Sequence, residues 1–452
     1  DKRPVNLTGR LITYKMPLQP YESTHMSNTH YRRDLNGEDL SPETLMMSYG
    51  YDPVLSEGSI KPPIFLTSTF VFKSAEEGKD FFNIVSGRTP APAEQKNGLV
   101  YSRFNQPNSE IVEDRLALYE RGEDAALFAS GMAAITTSLL AFVQPGDVIL
   151  QSQPLYGGTE TLLLGLFKRL GIDSIHFDNG CDADSVRAAI AQVPKGRRIV
   201  AIYVETPSNP TNTIVDIALL ANIAQELAPQ QNGDKPLLIC DNTLLGPVFQ
   251  RPLEHGADLS VYSLTKYVGG HSDVVAGAAI GSKALLKKIK SQRSAIGTQL
   301  DPHSCWMLGR SLETLALRMD KANANAAQLA QFLHAHPKIK RVHHLDFLAE
   351  NSPEYAVHQS QSSGAGSTFA IEVGDDEAAA FRFLNHLAIF KLAVSLGGTE
   401  SLASHPASTT HSGIAADVRA RIGIGDNLVR LSIGIENAND LQRALSLALD
   451  AV

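Results

Sequence analysis

From Ala125 onward the chain alternates short, continuous apolar runs with stretches whose apolar positions recur three and four apart. The runs predict strands at 125–129, 148–150, 174–177, 199–204, 237–241 and 259–263. Between them the periodicity predicts helices at 133–143, after the turn 154–159, at 184–193 and at 217–227. In the last of these, Leu220, Ile223 and Leu227 mark one packed face. Such uniformly apolar strands are covered on both faces, so β–α alternation predicts an α/β fold, a mostly parallel sheet with helices on both sides. Ligands of these sheets bind outside the C-terminal ends of the strands.

Beyond a basic helix at 283–293, one continuous helical stretch is predicted from Cys305 past Leu333. Its stripe is Leu312, Leu315, Met319, Ala322, Ala326, Leu329 and Leu333. It bridges into a smaller C-terminal α+β unit with strands at 368–373, 394–396 and 428–433 and helices at 377–387 and 438–450. Residues 1–45 are polar without a period, the segment to about 98 is extended and broken by proline, and 87–98 reads as a surface loop. The expected division is an N-terminal arm over 1–105 lying on a neighbouring subunit, a large domain over 106–317 and a small domain over 318–452.

Composition narrows the partners. The 452 residues are 43% hydrophobic and 19% charged, enough to bury a large core. A net charge of −8 argues against nucleic acid or an anionic membrane as partner. No run reaches the roughly 18 apolar residues of a membrane span, and residues 1–45 lack a signal-peptide core. Cys181, Cys240 and Cys305 are too widely spaced for a disulfide framework or a metal site, so the expectation is no metal and a cytoplasmic location.

The chemistry concentrates at strand ends. The apolar run at 237–240 closes on Asp241, and the run from Leu259 delivers Ser263, Thr265 and Lys266 before Gly269-Gly270. A lysine in such a place pays a desolvation cost that lowers its pKa, as an imine-forming lysine requires. Asp241 precedes it by 25 residues, one connection plus one strand. An amine that bonds an aldehyde and an acid that keeps a pyridine nitrogen protonated are the two protein groups pyridoxal phosphate chemistry needs. Ser130, Tyr156 and Asn209 fall at equivalent strand ends. Ser130-Gly131-Met132 opens a helix whose free N–H groups suit a phosphate, or is simply its cap. Tyr101 and Arg103, two apart in an extended segment, could meet an anion or a surface acid. Arg430, inside the apolar strand 428–433, needs a carboxylate from either a substrate or a structural acid. A dinucleotide fingerprint is missing, since Ala129-Ser130-Gly131-Met132-Ala133 is not Gly-x-Gly-x-x-Gly.

Over about residues 48–452 the chain resembles the cysteine/methionine-metabolism family of pyridoxal-phosphate enzymes, which includes methionine γ-lyase, cystathionine γ-synthase, cystathionine γ-lyase and O-acetylhomoserine sulfhydrylase. The likeness is carried by Tyr101-Ser-Arg103, Ser130-Gly131-Met132, Leu155-Tyr156-Gly157-Gly158-Thr159, Glu205-Thr-Pro-Ser-Asn209-Pro, Asp241-Asn-Thr, Ser263-Leu-Thr265-Lys266-Tyr267, Ser395-Leu-Gly-Gly and Leu428-Val-Arg430-Leu-Ser. It implies the aspartate-aminotransferase-like fold (fold type I), with 106–317 as the domain that binds pyridoxal 5'-phosphate. It also implies a homotetramer, a dimer of dimers with shared active sites. By the same resemblance Lys266 bonds the cofactor and carries protons, Asp241 pairs with the ring nitrogen, and Asn209 meets the ring hydroxyl. Ser130, Gly131, Met132, Ser263 and Thr265 hold the phosphate, while Tyr101 and Arg103 reach the phosphate of a neighbouring subunit. Tyr156 stacks on the ring and assists the leaving group. Arg430 with Ser395, Val394 and Tyr101 receives the amino acid substrate.

Two positions bear on that substrate. Val394 stands where cystathionine-processing members place a glutamate, and Gly158 where bacterial and protozoan methionine γ-lyases carry a cysteine. The implied reaction is γ-elimination from a methionine-like or O-substituted homoserine amino acid, canavanine among the candidates, giving 2-oxobutanoate or a homoserine-type product. The alternatives are γ-replacement, as in O-acetylhomoserine sulfhydrylase or cystathionine γ-synthase, and a cystathionine γ-lyase.

Overall fold

A computed structural model describes residues 29–90 and 98–452. The expectations for residues 1–28 and 91–97 lie outside the described residues.

Seven strands form the larger sheet: β1 Asp124–Phe128, β2 Val148–Gln151, β3 Asp173–His176, β4 Ile199–Glu205, β5 Leu237–Asp241, β6 Leu259–Ser263 and β7 Gly277–Gly281. Their order is β1-β7-β6-β5-β4-β2-β3, and every adjacent pair is parallel except those made by β7. The sheet is thus mostly parallel, as the alternation predicts. One hydrophobic cluster, with Phe128, Ile149, Tyr203 and Ile239, fills one face, and a second, with Leu150, Ile202, Val204, Leu238 and Cys240, fills the other. Alternate residues of the same strands supply the two clusters, the period-two consequence of a sheet buried on both sides.

A second sheet of five strands follows: β8 Ile339–His343, β9 Thr368–Val373, β10 Lys391–Leu392, β11 Leu402–Ser404 and β12 Leu428–Ser432, in the order β8-β9-β12-β11-β10. It packs on the helices Leu315–His334, Glu377–Asn385 and Ala438–Asp450 through Leu329, Leu333, Phe383, Leu441 and Leu445.

The structure departs from the sequence expectations at four points. The helical stretch from Cys305 is two helices, Pro302–Leu312 and Leu315–His334; Thr314 adopts φ −117°, ψ 11° and interrupts a stripe that stays in phase across the break. Residues 394–396 are not a strand; pairing ends at Leu392, which leaves Val394 and Ser395 in a loop over the larger sheet's rim. Strand β7 was not expected at all, because Gly-Ala-Ala-Ile-Gly carries almost no β signal. Glycine is there for space: a Cβ on Gly277 would lie 2.2 Å from the Ser130 carbonyl oxygen. Short of residue 105 the chain is less separate than an arm, since Leu45, Met46 and Tyr49 enter the core of the large sheet and Ala75–Val85 is a helix.

Strand β1 is anchored by a buried ion pair. Glu113 accepts from Leu127 N at 3.0 Å and meets Arg293 at 2.6 Å, while Arg293 also donates to the Leu127 carbonyl at 2.9 Å. Burial alone would raise the Glu113 pKa, but Lys290 and Arg293 outweigh it and hold the group below its ordinary value. Glu113→Gln leaves the guanidinium buried without its counter-charge. It should lower unfolding stability by about 3–5 kcal/mol, read as a lower urea midpoint at unchanged slope. A loss under about 1 kcal/mol would show that the pair does not anchor β1.

Candidate active site

The C-terminal ends of β1, β4, β5 and β6 open on one rim, where the start of the antiparallel β7 joins them. A cavity of about 250 Å³ lies there. It is lined by Ser130, Gly131, Met132, Tyr156, Glu205, Asn209, Asp241, Thr243, Ser263, Thr265, Lys266, Val394 and Arg430, together with Ile135, Leu244, Val275 and Leu396. Residues far apart in sequence are gathered because each terminates a strand of one sheet or closes over it from the smaller sheet.

One end of the cavity is a helix N-terminus. Ser130 caps the helix Gly131–Leu140, its Oγ accepting from Ala133 N at 3.0 Å. Gly131 approaches β6 so closely that a Cβ would fall 2.8 Å from that of Ser263. Positive helix-end potential, open backbone and the nearby Ser263 hydroxyl suit a phosphate, while Thr265 Oγ1 is engaged with Ala276, donating to its carbonyl at 3.2 Å and accepting from its N–H at 3.0 Å.

The floor is acidic. Asp241 Oδ1 accepts from Thr243 N at 3.0 Å and Thr243 Oγ1 at 2.6 Å, and Oδ2 accepts from Tyr203 OH at 3.3 Å. Glu205 is its register partner on β4. Burial raises the Asp241 pKa against these hydrogen bonds. Burial, and then the charge of Asp241, push Glu205 up to about 8. Among the described residues neither carboxylate has a basic side chain in ion-pair range.

Two basic side chains line the same cavity. Lys266 Nζ donates to Ser395 Oγ at 3.1 Å, and burial followed by the charge of Arg430 lowers its pKa to about 8. Arg430, only 2% exposed, donates to Asn209 Oδ1 at 3.3 Å and to the Ser395 carbonyl at 2.8 Å. Its Nε has no partner, and burial lowers its pKa to about 10. The structural acid left open for Arg430 is not among the described residues. A carboxylate arriving from outside fits the vacancy in its hydrogen bonding.

The structure therefore brings Ser130, Gly131, Met132, Tyr156, Asn209, Asp241, Ser263, Thr265, Lys266, Val394 and Arg430 to one cavity, with Ser395 bonded to both cations. It does not bring Tyr101 and Arg103 there. Arg103 donates to the Ser294 carbonyl and lies 4.6 Å from the centre of the Phe104 ring, and Tyr101 is 40% exposed. Glu205 and Thr243 were not singled out from the sequence. The signal for Glu205 was the one that found Asp241, a carboxylate closing an apolar strand.

The fold and the pairing of Lys266 with Asp241 at such a rim define a pyridoxal-phosphate enzyme of fold type I. Residues 43–450 match the family described as Cys/Met metabolism PLP-dependent enzyme, and the chain belongs to it. It is 38% identical over 410 residues to an L-methionine gamma-lyase of Pseudomonas putida, covering 90% of this chain and 97% of that protein. It is 35% identical over 414 residues to a cystathionine gamma-lyase of Bacillus subtilis, covering 91% of this chain and 100% of that one. Among solved structures, cystathionine gamma synthase from Xanthomonas oryzae pv. oryzae aligns with a TM-score of 0.79 at 34% identity, over 91% of this chain and all of that one. The cofactor is accordingly pyridoxal 5'-phosphate and the substrate a small-molecule amino acid. No helix among the described residues is long and apolar enough to cross a membrane, and none of their acidic, histidine and cysteine side chains form a metal-holding group.

The depressed Lys266 pKa has a direct readout. In the cofactor-free protein, modification of Lys266 by an amine-selective reagent, mapped by mass spectrometry, should reach half its maximal rate near pH 8. Exposed lysines should go on gaining reactivity to about pH 10. A Lys266 profile that coincides with theirs would contradict the desolvated placement.

Proposed function

We propose that the protein catalyses γ-elimination from a methionine-like amino acid, releasing a thiol with 2-oxobutanoate and ammonia. The observation that carries this reading is the cavity's lining: a guanidinium with an unpartnered Nε, bonded to the Ser395 carbonyl, together with the apolar neighbours Val394 and Leu396 and the Tyr156 ring. A short amino acid with an apolar tail matches that lining. A substrate with a second, distal amino group would find Val394 where it needs an acid.

The cavity fits the cofactor by its own chemistry. The phosphate belongs at the helix end with Ser130, Gly131, Met132, Ser263 and Thr265, and the ring nitrogen at Asp241, whose buried carboxylate needs a cation. When bound, pyridoxal phosphate withdraws electrons from the substrate's α carbon and so acidifies its α and β protons. Lys266, which gives up its proton more readily than an ordinary lysine, would hold the cofactor aldehyde and, once the substrate amine displaces it, take the α proton at Nζ. With that proton passed on to the bound cofactor, the same Nζ would be free to take one from the β carbon, from its position beside Ser395. Arg430 fixes the substrate carboxylate with Asn209 beneath it. Tyr156, its ring face partly open to the cavity, covers the cofactor and supplies a proton to the departing sulfur.

Tyr101 and Arg103 then serve a neighbouring subunit, in a homotetramer built as a dimer of dimers. What supports this is the segment before them, where Ile60 is 85% and Val71 94% exposed, apolar surface suited to burial against another copy. The three cysteines are unpaired, in accord with a cytoplasmic location.

The cofactor-loaded protein should convert L-methionine to equimolar 2-oxobutanoate, ammonia and methanethiol, and turn over L-cystathionine at least about tenfold less efficiently, as loss of a charged partner implies. Faster consumption of O-acetylhomoserine with added thiol, without 2-oxobutanoate, would replace this reading with γ-replacement.

A further inference from the structure

Glu205 has no role in the steps above, yet both its carboxylate oxygens are engaged. Oε2 accepts from Tyr156 N at 2.7 Å and Oε1 from Asn209 N at 2.8 Å. These are the backbone groups of two residues on separate loops, one under the ring that covers the cofactor and one under the amide that supports Arg430. Glu205 also stands beside Asp241 in register, so the two buried carboxylates share one face of adjacent strands.

We infer that Glu205 is a positioning residue: ionised, it brackets the Tyr156 and Asn209 loops, and a cation lying against the neighbouring Asp241 favours that ionised, bracketing form. An ionised carboxylate accepts both N–H groups, whereas a protonated one turns a donor toward one of them and loses that arm. Two adjacent buried carboxylates do not both ionise readily, and a protonated ring nitrogen at Asp241 removes the obstacle. Cofactor binding thereby sets the substrate-holding loop. The groups facing Glu205 are Asp241 on β5, Glu160 on the helix Gly157–Thr161 and Tyr203 on its own strand, with Lys266 and Arg430 lining the same cavity.

The inference rests on Asp241 receiving the cofactor ring, and the experiment separates the two. Pyridoxal phosphate is titrated calorimetrically into the cofactor-free protein at pH 7 in buffers of different ionisation enthalpy, for the parent and for Glu205→Gln. With Glu205 near pKa 8 before binding, the parent should release about one proton more than the variant. The variant should also raise the KM for the amino acid roughly tenfold and weaken the dichroism of the bound cofactor. Equal proton counts and an unchanged KM would overturn the role of Glu205. Should Glu205→Gln not fold, the parent alone decides. A carboxyl whose folded pKa is raised stabilises least above that pKa, so melting of the cofactor-free protein should fall from pH 6.5 to 8.5 and that of the loaded protein should fall less. Parallel curves would overturn the inference. Asp241→Asn binding the cofactor with an unaltered spectrum would instead remove the assignment of Asp241.

Discussion

The structure depends on four ionisable groups gathered at one cavity without ion-pair partners. Asp241, Glu205, Lys266 and Arg430 all line the same 250 Å³ space, and among the described residues none of the four is in an ion pair. Elsewhere in the same core a buried charge is matched at once, as Glu113 is by Arg293 at 2.6 Å. Leaving a charge uncompensated costs several kcal/mol per ion, even after relaxation. The arrangement makes sense as half of a larger one, in which a cationic heterocycle, a phosphate and an amino acid carboxylate supply the missing charges.

The fold supplies the dry ground on which such charges act. Parallel strands covered on both faces end together, so a side chain placed one residue past the apolar run faces the cavity while its backbone stays in the sheet. Asp241 and Glu205 are both such residues. Lys266 reaches the same rim just beyond β6, and Arg430 comes down from the second sheet through the loop of Ser395. Because Ser395 binds both cations, small movements of the smaller unit change the surroundings of the amine and of the substrate clamp together.

Most of the larger sheet was legible in the sequence, since its strands are apolar runs of the right length separated by helical periodicity. β7 was not, because its glycines and alanines record only how closely Ser130 and Asp258 approach it, and close approach leaves no mark on hydropathy. The break at Thr314 was hidden by a stripe that stays in phase across it. Within the site, Lys266, Asp241 and Arg430 announced themselves as charges among apolar neighbours. Glu205 had the same signature and was passed over, because the proline-rich loop behind it reads as ordinary rim. Tyr101 and Arg103 show the opposite limit: their spacing suggests an anion site, but the anion they suit is not one that a single copy of the chain places near them.

The amine that takes the cofactor has the most direct test. Native, cofactor-loaded protein is reduced with borohydride, digested, and the pyridoxyl-tagged peptide sequenced by mass spectrometry. One tag per chain is expected, on Lys266 in the peptide that follows β6. A tag on another lysine, or a reduced protein that releases its cofactor on unfolding, would contradict the role of Lys266.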